Sequence, residues 1–218
     1  MFASPKRPEI DYRTTRLVVG LIALSLASLT SFFAETPISS ISASYYEDGW
    51  SRDIFVGFLF AIAAFLLAYN GQATSEMVSS KIAAGAALGV AMFPCACGGH
   101  PEIIPNVHGI AALVMFAILA FFCYGFYERA RAKGHSEARL RAYIYAVCGL
   151  TIIAAIVTAL IDNYSNGMIG AKIPRATFYG ERAGLIAFGV SWLTASRMLP
   201  VITSREERFS PFSDRSVP

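Results

Sequence analysis

Apolar residues are grouped along this chain into long runs that are separated by short polar stretches. The three longest runs, residues 17–33, 109–127 and 142–161, contain no Asp, Glu, Lys or Arg. Roughly 20 apolar residues in a helix cross the hydrocarbon core of a bilayer, which is about 30 Å thick. The runs lack the alternation of apolar and polar residues that marks a membrane β-strand. The pattern therefore predicts membrane-spanning helices.

Six such spans are predicted, at residues 17–33, 54–69, 77–93, 107–127, 142–161 and 183–196. The first run has a long polar flank and no small-residue cleavage motif at its end, so we interpret it as a retained helix. The predicted fold is an all-α, polytopic transmembrane bundle of six helices. It forms one domain over residues 1–202, and a polar cytoplasmic tail follows at residues 203–218.

Composition and charge support membrane insertion and predict the orientation of the helices in the membrane. Only 15% of the 218 residues are charged, whereas an ordinary soluble domain has about 25%. Fourteen of the 18 Lys and Arg residues lie before span one, after spans two and four, and after span six. The positive-inside rule then predicts a multi-pass membrane protein with both termini in the cytoplasm. The basic residues are not interleaved with base-stacking aromatics, so nucleic acid is not an expected partner.

Small residues recur at helical spacing in two of the predicted spans. Gly85 and Gly89 are four residues apart in span three, and Gly180, Gly184 and Gly189 occur around span six. Such spacing lets helix backbones approach closely. Two interpretations are open: packing within one bundle, or a face that forms a homodimer in the lipid bilayer.

The chemically varied residues lie in the three loops predicted to face outward, residues 35–53, 94–106 and 162–182. Ionisable residues at the ends of membrane spans are candidates for function, although they also serve as helix caps and ion pairs. The pocket interpretation gives catalytic roles to His108, Asp53 and Glu181. It gives ligand contacts to Arg52, Ser42, Ser44, Asp162 and Arg182. Ser42 or Ser44 is a candidate nucleophile only if His108 reaches it.

One outer loop contains possible metal ligands. Cys95, Cys97 and His100, with His108 nearby, are residue types that bind zinc or copper. The alternative is a disulfide, because this loop is predicted to face the oxidising side of the membrane. Zinc is therefore a possible cofactor of the loop.

Several motifs resemble a family of small uncharacterised bacterial six-helix inner-membrane proteins. The matching stretches are residues 40–46 (SISASYY), 52–57 (RDIFVG), 89–94 (GVAMFP), 107–109 (VHG), 178–181 (FYGE) and 188–193 (FGVSWL). The resemblance covers most of residues 38–194 and implies six helices, but it implies no activity. It also draws attention to Arg52, Asp53, His108 and Glu181. The Cys95/Cys97 loop is not part of the family pattern.

A more distant resemblance is to the membrane hydrolases that include the alkaline ceramidases and the progestin/adipoQ receptors. That resemblance implies an intramembrane zinc site, in which Ser42 or Ser44, Asp53 and His108 match the expected residue types. The chain departs from the pattern because six spans are predicted, not seven, and no late His-x3-His is present.

Three functions are consistent with the sequence. The first is a bundle whose outer pocket binds a lipid headgroup, a small ligand or a partner protein. The second is a hydrolase in which a metal-bound or His108-activated water attacks a lipid ester or amide at the outer leaflet. The third is a small transporter, although no predicted span has a charged residue at mid-membrane.

Overall fold

The computed structural model describes residues 11–208, and all regular secondary structure in that range is helical. The seven α-helices are α1 (Tyr12–Phe33), α2 (Trp50–Ala68), α3 (Thr74–Met92), α4 (Val107–Arg131), α5 (Ser136–Tyr164), α6 (Met168–Lys172) and α7 (Ala176–Ala195). Short 3-10 helices lie at Ser42–Tyr46 and Pro200–Ile202. The all-helical prediction is confirmed. Three of the basic residues used to predict the orientation, at positions 6, 7 and 215, lie outside the described range. The predicted tail also lies outside it from residue 209 onward.

Within the described residues, four helices are long and apolar enough to cross a membrane: α1, α2, α4 and α5. This is consistent with a multi-pass membrane protein. Helices α3 and α7 have 19 and 20 residues, which at 1.5 Å per residue is also close to bilayer thickness. They are richer in small and polar residues, and they are not among the four.

The six long helices form a closed ring. Each of α2, α3, α4 and α5 packs against the long helix before it, and α7 packs against both α5 and α1. Because successive helices run in opposite directions, the ring has two distinct ends. We call the end formed by residues 34–49, 93–106 and 165–175 the loop end. The opposite end, which includes residues 11–16, 69–73, 132–135 and 196–208, is the terminal end.

Aromatic side chains fill the part of the ring nearest the terminal end. Trp192 of α7 is fully buried, and its ring lies 5.2 Å from that of Tyr69, 5.6 Å from Phe122 and 5.1 Å from Phe188. Offset and edge-to-face aromatic pairs contribute about 0.5–1.5 kcal/mol each beyond their buried area. This cluster joins α2, α4 and α7 across the ring.

The contact that closes the ring depends on glycine. A Cβ atom on Gly20 of α1 would lie 3.0 Å from the carbonyl oxygen of Gly189 in α7. A Cβ atom on Gly189 would lie 2.6 Å from Cγ of Leu24. Helices α1 and α7 therefore touch backbone to backbone, which only glycine permits here.

The other small residues divide into two groups. A Cβ atom on Gly184 would meet a phenylalanine ring at 2.5 Å, and one on Gly89 would meet an alanine methyl at 3.0 Å. These two glycines, like Gly189, are used for packing within one chain. At Gly85 and Gly180 an added Cβ meets nothing within 4 Å. A homodimer through a small-residue face stays a prediction.

Candidate functional site

Three predicted site residues from three separate segments meet at the loop end. Ser42 begins the 3-10 helix Ser42–Tyr46, His108 lies in the first turn of α4, and Glu181 lies in the second turn of α7. Ser42 Oγ is 3.1 Å from His108 Nε2 and 3.2 Å from Glu181 Oε1. Ser42 and His108 are each only 7% exposed. We call these three residues the loop-end cluster.

The ring of His108 is oriented by a backbone carbonyl. His108 Nδ1 lies 2.7 Å from the carbonyl oxygen of Phe93, the residue that follows the end of α3 as its C-cap. A carbonyl oxygen can only accept, so Nδ1 carries a proton and donates it to Phe93. In the neutral imidazole, Nε2 is then an acceptor directed at the Ser42 hydroxyl. A hydroxyl beside a base that a third group orients is the arrangement of an activated nucleophile.

The Glu181 carboxylate occupies the backbone donors next to Ser42. Its Oε2 accepts hydrogen bonds from the N–H of Ile41 at 2.5 Å and from the N–H of Ser42 at 3.4 Å. Its Oε1 accepts the bond from the Ser42 hydroxyl. We call these two N–H groups the anion seat. In this structure the seat is filled by a carboxylate from the chain itself.

Proton counting shows that the loop-end cluster can bind a proton. The Ser42 hydroxyl has one proton, but it lies between two acceptors when Glu181 is ionised and His108 is neutral. All the hydrogen bonds can form together only if a second proton resides on His108 Nε2 or on the Glu181 carboxyl. Because Ser42 separates these groups, they share that proton as a coupled pair.

Several bonds hold the segment that carries Ser42 against the bundle. Arg175 Nε donates to the carbonyl of Ile38 at 2.8 Å, and the Tyr46 hydroxyl donates to the carbonyl of Cys95 at 2.8 Å. The Ser40 hydroxyl accepts from the N–H of Ala43 at 3.0 Å, which starts the turn. The buried Ile38 side chain is part of the core. These contacts fix the position of Ser42 relative to α4 and α7.

The remaining predicted polar residues lie outside this cluster. Asp53 and Arg52 are exposed on α2, with the Arg52 guanidinium 4.8 Å above the Tyr45 ring. Asp162 accepts from two N–H groups at the start of α6, at 2.8 and 2.9 Å. The Arg182 guanidinium lies 6.0 Å from the Phe178 ring. Of the three predicted catalytic residues, the structure therefore brings together His108 and Glu181, and not Asp53.

Ser44, the other candidate nucleophile, makes no hydrogen bond to His108. It is fully buried, and its Oγ has no hydrogen-bond partner among the described residues. The 3-10 helix therefore presents one of its two predicted serines to the base.

The structure does not assemble the predicted zinc site. Cys95 and Cys97 form a disulfide with each other, so neither offers the thiolate that coordinates zinc. The His100 ring stacks on Tyr46, with centroids 4.1 Å apart. Over residues 11–208 no group of three or more His, Cys, Asp or Glu side chains could hold a metal ion. Of the two interpretations of this loop, the structure shows the disulfide.

A buried ionic cluster at the terminal end had no counterpart among the predicted sites. Glu76 in the first turn of α3 is 3% exposed and pairs with Arg16 of α1, at 3.9 Å, and with Arg129 of α4. It also accepts from the N–H of Gln72 at 2.9 Å. Arg16 donates twice to the Tyr69 hydroxyl, at 2.6 and 3.1 Å. The only sequence signal is an isolated carboxylate at the start of a run of small residues.

A second carboxylate, Glu207, gathers cations from three segments at the same end. It pairs with Lys133, with Arg141 at 2.8 Å and with Arg197 at 2.5 Å, and His135 lies 3.8 Å away. Partial burial alone would raise the pKa of Glu207, but the Lys133 hydrogen bond and the charges of Arg197 and Arg141 lower it to about 2. The start of the predicted tail is therefore attached to the bundle.

The fold and the site together define a class of protein. It is an all-helical bundle with four apolar helices that could span a membrane, and a Ser–His–Glu cluster lies at one end. No family model, no curated protein and no solved structure matches the chain. Its function is therefore argued from the site alone.

Proposed function

We propose that the protein is a six-span inner-membrane protein with both termini in the cytoplasm and the loop end facing outward. Helices α3 and α7 support this proposal because they complete a ring with the four apolar helices and are at least as long as the shortest of them, α2. The excess of Lys and Arg at the terminal end supports the orientation.

The loop-end cluster is an acyl-transfer site that hydrolyses an ester or amide of a lipid at the outer leaflet. Ser42 is the nucleophile, His108 is the general base, and the Phe93 carbonyl positions the imidazole. One observation carries the proposal: Ser42 Oγ lies 3.1 Å from His108 Nε2 while a 2.7 Å bond fixes Nδ1. These distances lie within the range expected of a nucleophile and its oriented base.

The reaction follows from these positions. As Ser42 Oγ bonds to the substrate carbonyl carbon, its proton passes to His108 Nε2, and the leaving alcohol or amine then takes that proton. Water attacks the acyl-serine with the same base, which releases the acid and returns the proton to Ser42. The N–H groups of Ile41 and Ser42 would hold the oxyanion.

The position of Glu181 agrees with this assignment. One oxygen of its carboxylate accepts from the anion seat and the other lies beside Ser42 Oγ. A carboxylic acid product would place its two oxygens in the same way. Glu181 thus occupies the site as a product would, and substrate enters when its side chain leaves.

The second candidate is binding without reaction. The anion seat accepts a carboxylate in this structure, so it can equally accept the carboxylate or phosphate of a lipid headgroup, a small ligand or a partner protein. In that case Ser42 and His108 contribute hydrogen bonds only.

Covalent labelling distinguishes the two candidates. The detergent-purified full chain is treated with a fluorophosphonate probe, and the modified residue is located by mass spectrometry. Hydrolase function predicts modification of Ser42, lost in Ser42→Ala and slowed about 10²–10⁴-fold in His108→Ala. Ser44→Ala is the matched control and should label normally, because it removes a neighbouring buried hydroxyl that has no partner. Saturable binding of a fatty-acid carboxylate without any labelling would support the binding function instead.

A further inference from the structure

A cavity lies at the terminal end, opposite the loop-end cluster. Its volume is about 110 Å³, and it lies between the start of α1, the end of α4 and the segment after α7. Five of its lining residues are cations and one is a carboxylate. The cations are Arg13, Arg16, Arg129, Lys133 and Arg197, and the carboxylate is Glu207.

Among residues 11–208, two carboxylates hold four of these cations, which are Arg16, Arg129, Lys133 and Arg197. Glu76, behind the cavity, pairs with Arg16 and Arg129. Glu207 is shared among Lys133, Arg197 and a further arginine, Arg141. Within the described part of the chain, five cations therefore share two carboxylates. Like charges held close together repel one another, most strongly where they are largely buried, as Arg16, Arg141 and Arg197 are, and a bound anion would relieve that repulsion.

Arg197 shows how the fold directs cations into this cavity. Its backbone is in the left-handed region, with φ 65°, which is uncommon for a residue other than glycine. This turn ends α7 and places the side chain, which is 16% exposed, over the cavity. Burial lowers the pKa of Arg197, and the neighbouring charge of Arg141 lowers it further. A positively charged group is thus kept where the surroundings disfavour a positive charge.

We propose that the terminal-end cavity binds a phosphate group, presented either by an anionic phospholipid or by free inorganic phosphate. Guanidinium groups match phosphate oxygens with paired N–H donors, and an ammonium group adds a point charge. The Tyr12 hydroxyl, the Gln72 amide and the Tyr145 hydroxyl add neutral donors to the lining. For the lipid source, the proposal rests on the six-span assignment, which places the cavity at the anionic cytoplasmic surface.

The first arm of the test measures inorganic phosphate binding to the detergent-purified full chain by titration calorimetry. We expect saturable binding by the wild type and a loss of at least about tenfold in affinity for Arg197→Gln, because one charge-assisted hydrogen bond is removed. Arg139→Gln removes the same charge from an exposed site on α5 outside the cavity lining. It should bind as the wild type does.

A variant that is expected to raise the affinity for phosphate separates an electrostatic effect from damage to the fold. Among the described residues, Glu207 is the only carboxylate that lines the cavity, so Glu207→Gln should tighten phosphate binding severalfold. Loosened packing at this end would instead weaken binding in both Glu207→Gln and Arg197→Gln. Weakening in both variants would overturn the proposal.

The second arm uses phosphatidylcholine bilayer discs containing a minor fraction of phosphatidic acid, with native mass spectrometry of the released protein. Phosphatidic acid retained by the wild type and Arg139→Gln, and lost from Arg197→Gln, identifies the lipid as a source. Binding in the calorimetric arm alone identifies free phosphate. If neither ligand binds, or if Arg139→Gln loses binding as Arg197→Gln does, the proposal is wrong. Ser42 labelling is independent of both arms.

Discussion

Removing the carboxylate of Glu181 should make Ser42 more reactive. In the proposed hydrolase, Glu181 competes with substrate for the anion seat, so Glu181→Ala should free the seat without touching the bond between Ser42 and His108. A catalytic or purely structural role for Glu181 predicts the opposite sign. The substitution therefore tests whether the loop-end cluster is a reactive site and also whether Glu181 blocks it.

The size of the effect follows from the hydrogen bonds that Glu181 makes. It accepts three bonds, two from backbone N–H groups and one from a hydroxyl. A bond to a charged group contributes about 1.5–3 kcal/mol when buried. Because Glu181 is partly exposed and water replaces it when it leaves, we take about 2 kcal/mol for all three. Glu181 then leaves the anion seat empty in roughly one molecule in thirty. Ser42 should therefore be labelled about thirtyfold faster in Glu181→Ala than in the wild type.

Glu181→Gln provides an intermediate value. Its amide oxygen still accepts from the seat, but neutral bonds are about half as strong as charge-assisted ones. With about 1 kcal/mol remaining, labelling should be about fivefold faster than in the wild type. The expected order of rates is Ala, then Gln, then Glu.

The assay is the pseudo-first-order rate of fluorophosphonate labelling at Ser42, followed by intact mass. Glu47→Ala is the matched control, because Glu47 also accepts a backbone N–H at the loop end, from Glu35 at 3.2 Å, outside the cluster. It should label at the wild-type rate. A Glu181→Ala protein that labels at or below the wild-type rate, with an unchanged melting temperature, would refute Glu181 as the occupant of the seat.

Three further predictions concern the stability of the bundle. Glu76→Gln leaves two guanidinium groups without their buried partner and should cost about 3–5 kcal/mol, or roughly 6–20 °C in melting temperature; Glu128→Gln, at an exposed position, should change stability by no more than about 0.5 kcal/mol. The lowered pKa of Glu207, about 2 against its usual 4.5, stabilises the fold above pH 4.5, and this contribution is lost as the pH falls towards 2. We expect a loss of ~1–2 kcal/mol over that window after allowing for solvent screening, seen as a steeper acid drop in melting temperature than Glu207→Gln shows. Gly189→Ala should destabilise the bundle by about 1–3 kcal/mol through overlap with α1, whereas Gly180→Ala on the same helix should be neutral or stabilising by up to ~1 kcal/mol; equal melting temperatures for the two variants would contradict the packing described here.

The helical fold could be predicted because lipid leaves few alternatives. A run such as residues 142–161 carries no charge and is long enough to cross a bilayer. Inside the hydrocarbon core, the backbone polar groups of such a run must bond to one another within a helix. The bounds of the helices were harder to predict than the all-helical fold. Helix α5 begins at Ser136 and ends at Tyr164, so it extends beyond both ends of that run. Polar residues at the end of a membrane helix resemble loop residues in any hydropathy pattern.

The candidate site could be predicted only as a set of residues at similar depth. His108 and Glu181 lie at the starts of long helices, so their shared end of the bundle follows from topology. Ser42 joins them because residues 34–49 fold back over the bundle, and no local pattern determines that path. Asp53, at the same predicted depth, lies on an exposed face of α2. Depth follows from spacing along the chain, but the direction of a side chain around the ring depends on packing.

The contact between Gly20 and Gly189 also has a consequence for biosynthesis. These two residues are separated by about 170 positions, so in the proposed six-span protein α1 enters the membrane long before α7 exists. At roughly 5–20 residues per second, translation keeps α1 without its final neighbour for about 8–35 s. During that interval the glycine face of α1 is open to lipid or to a membrane chaperone. In that six-span arrangement the ring can close only after α7 has been inserted, so correct assembly is decided at the end of translation.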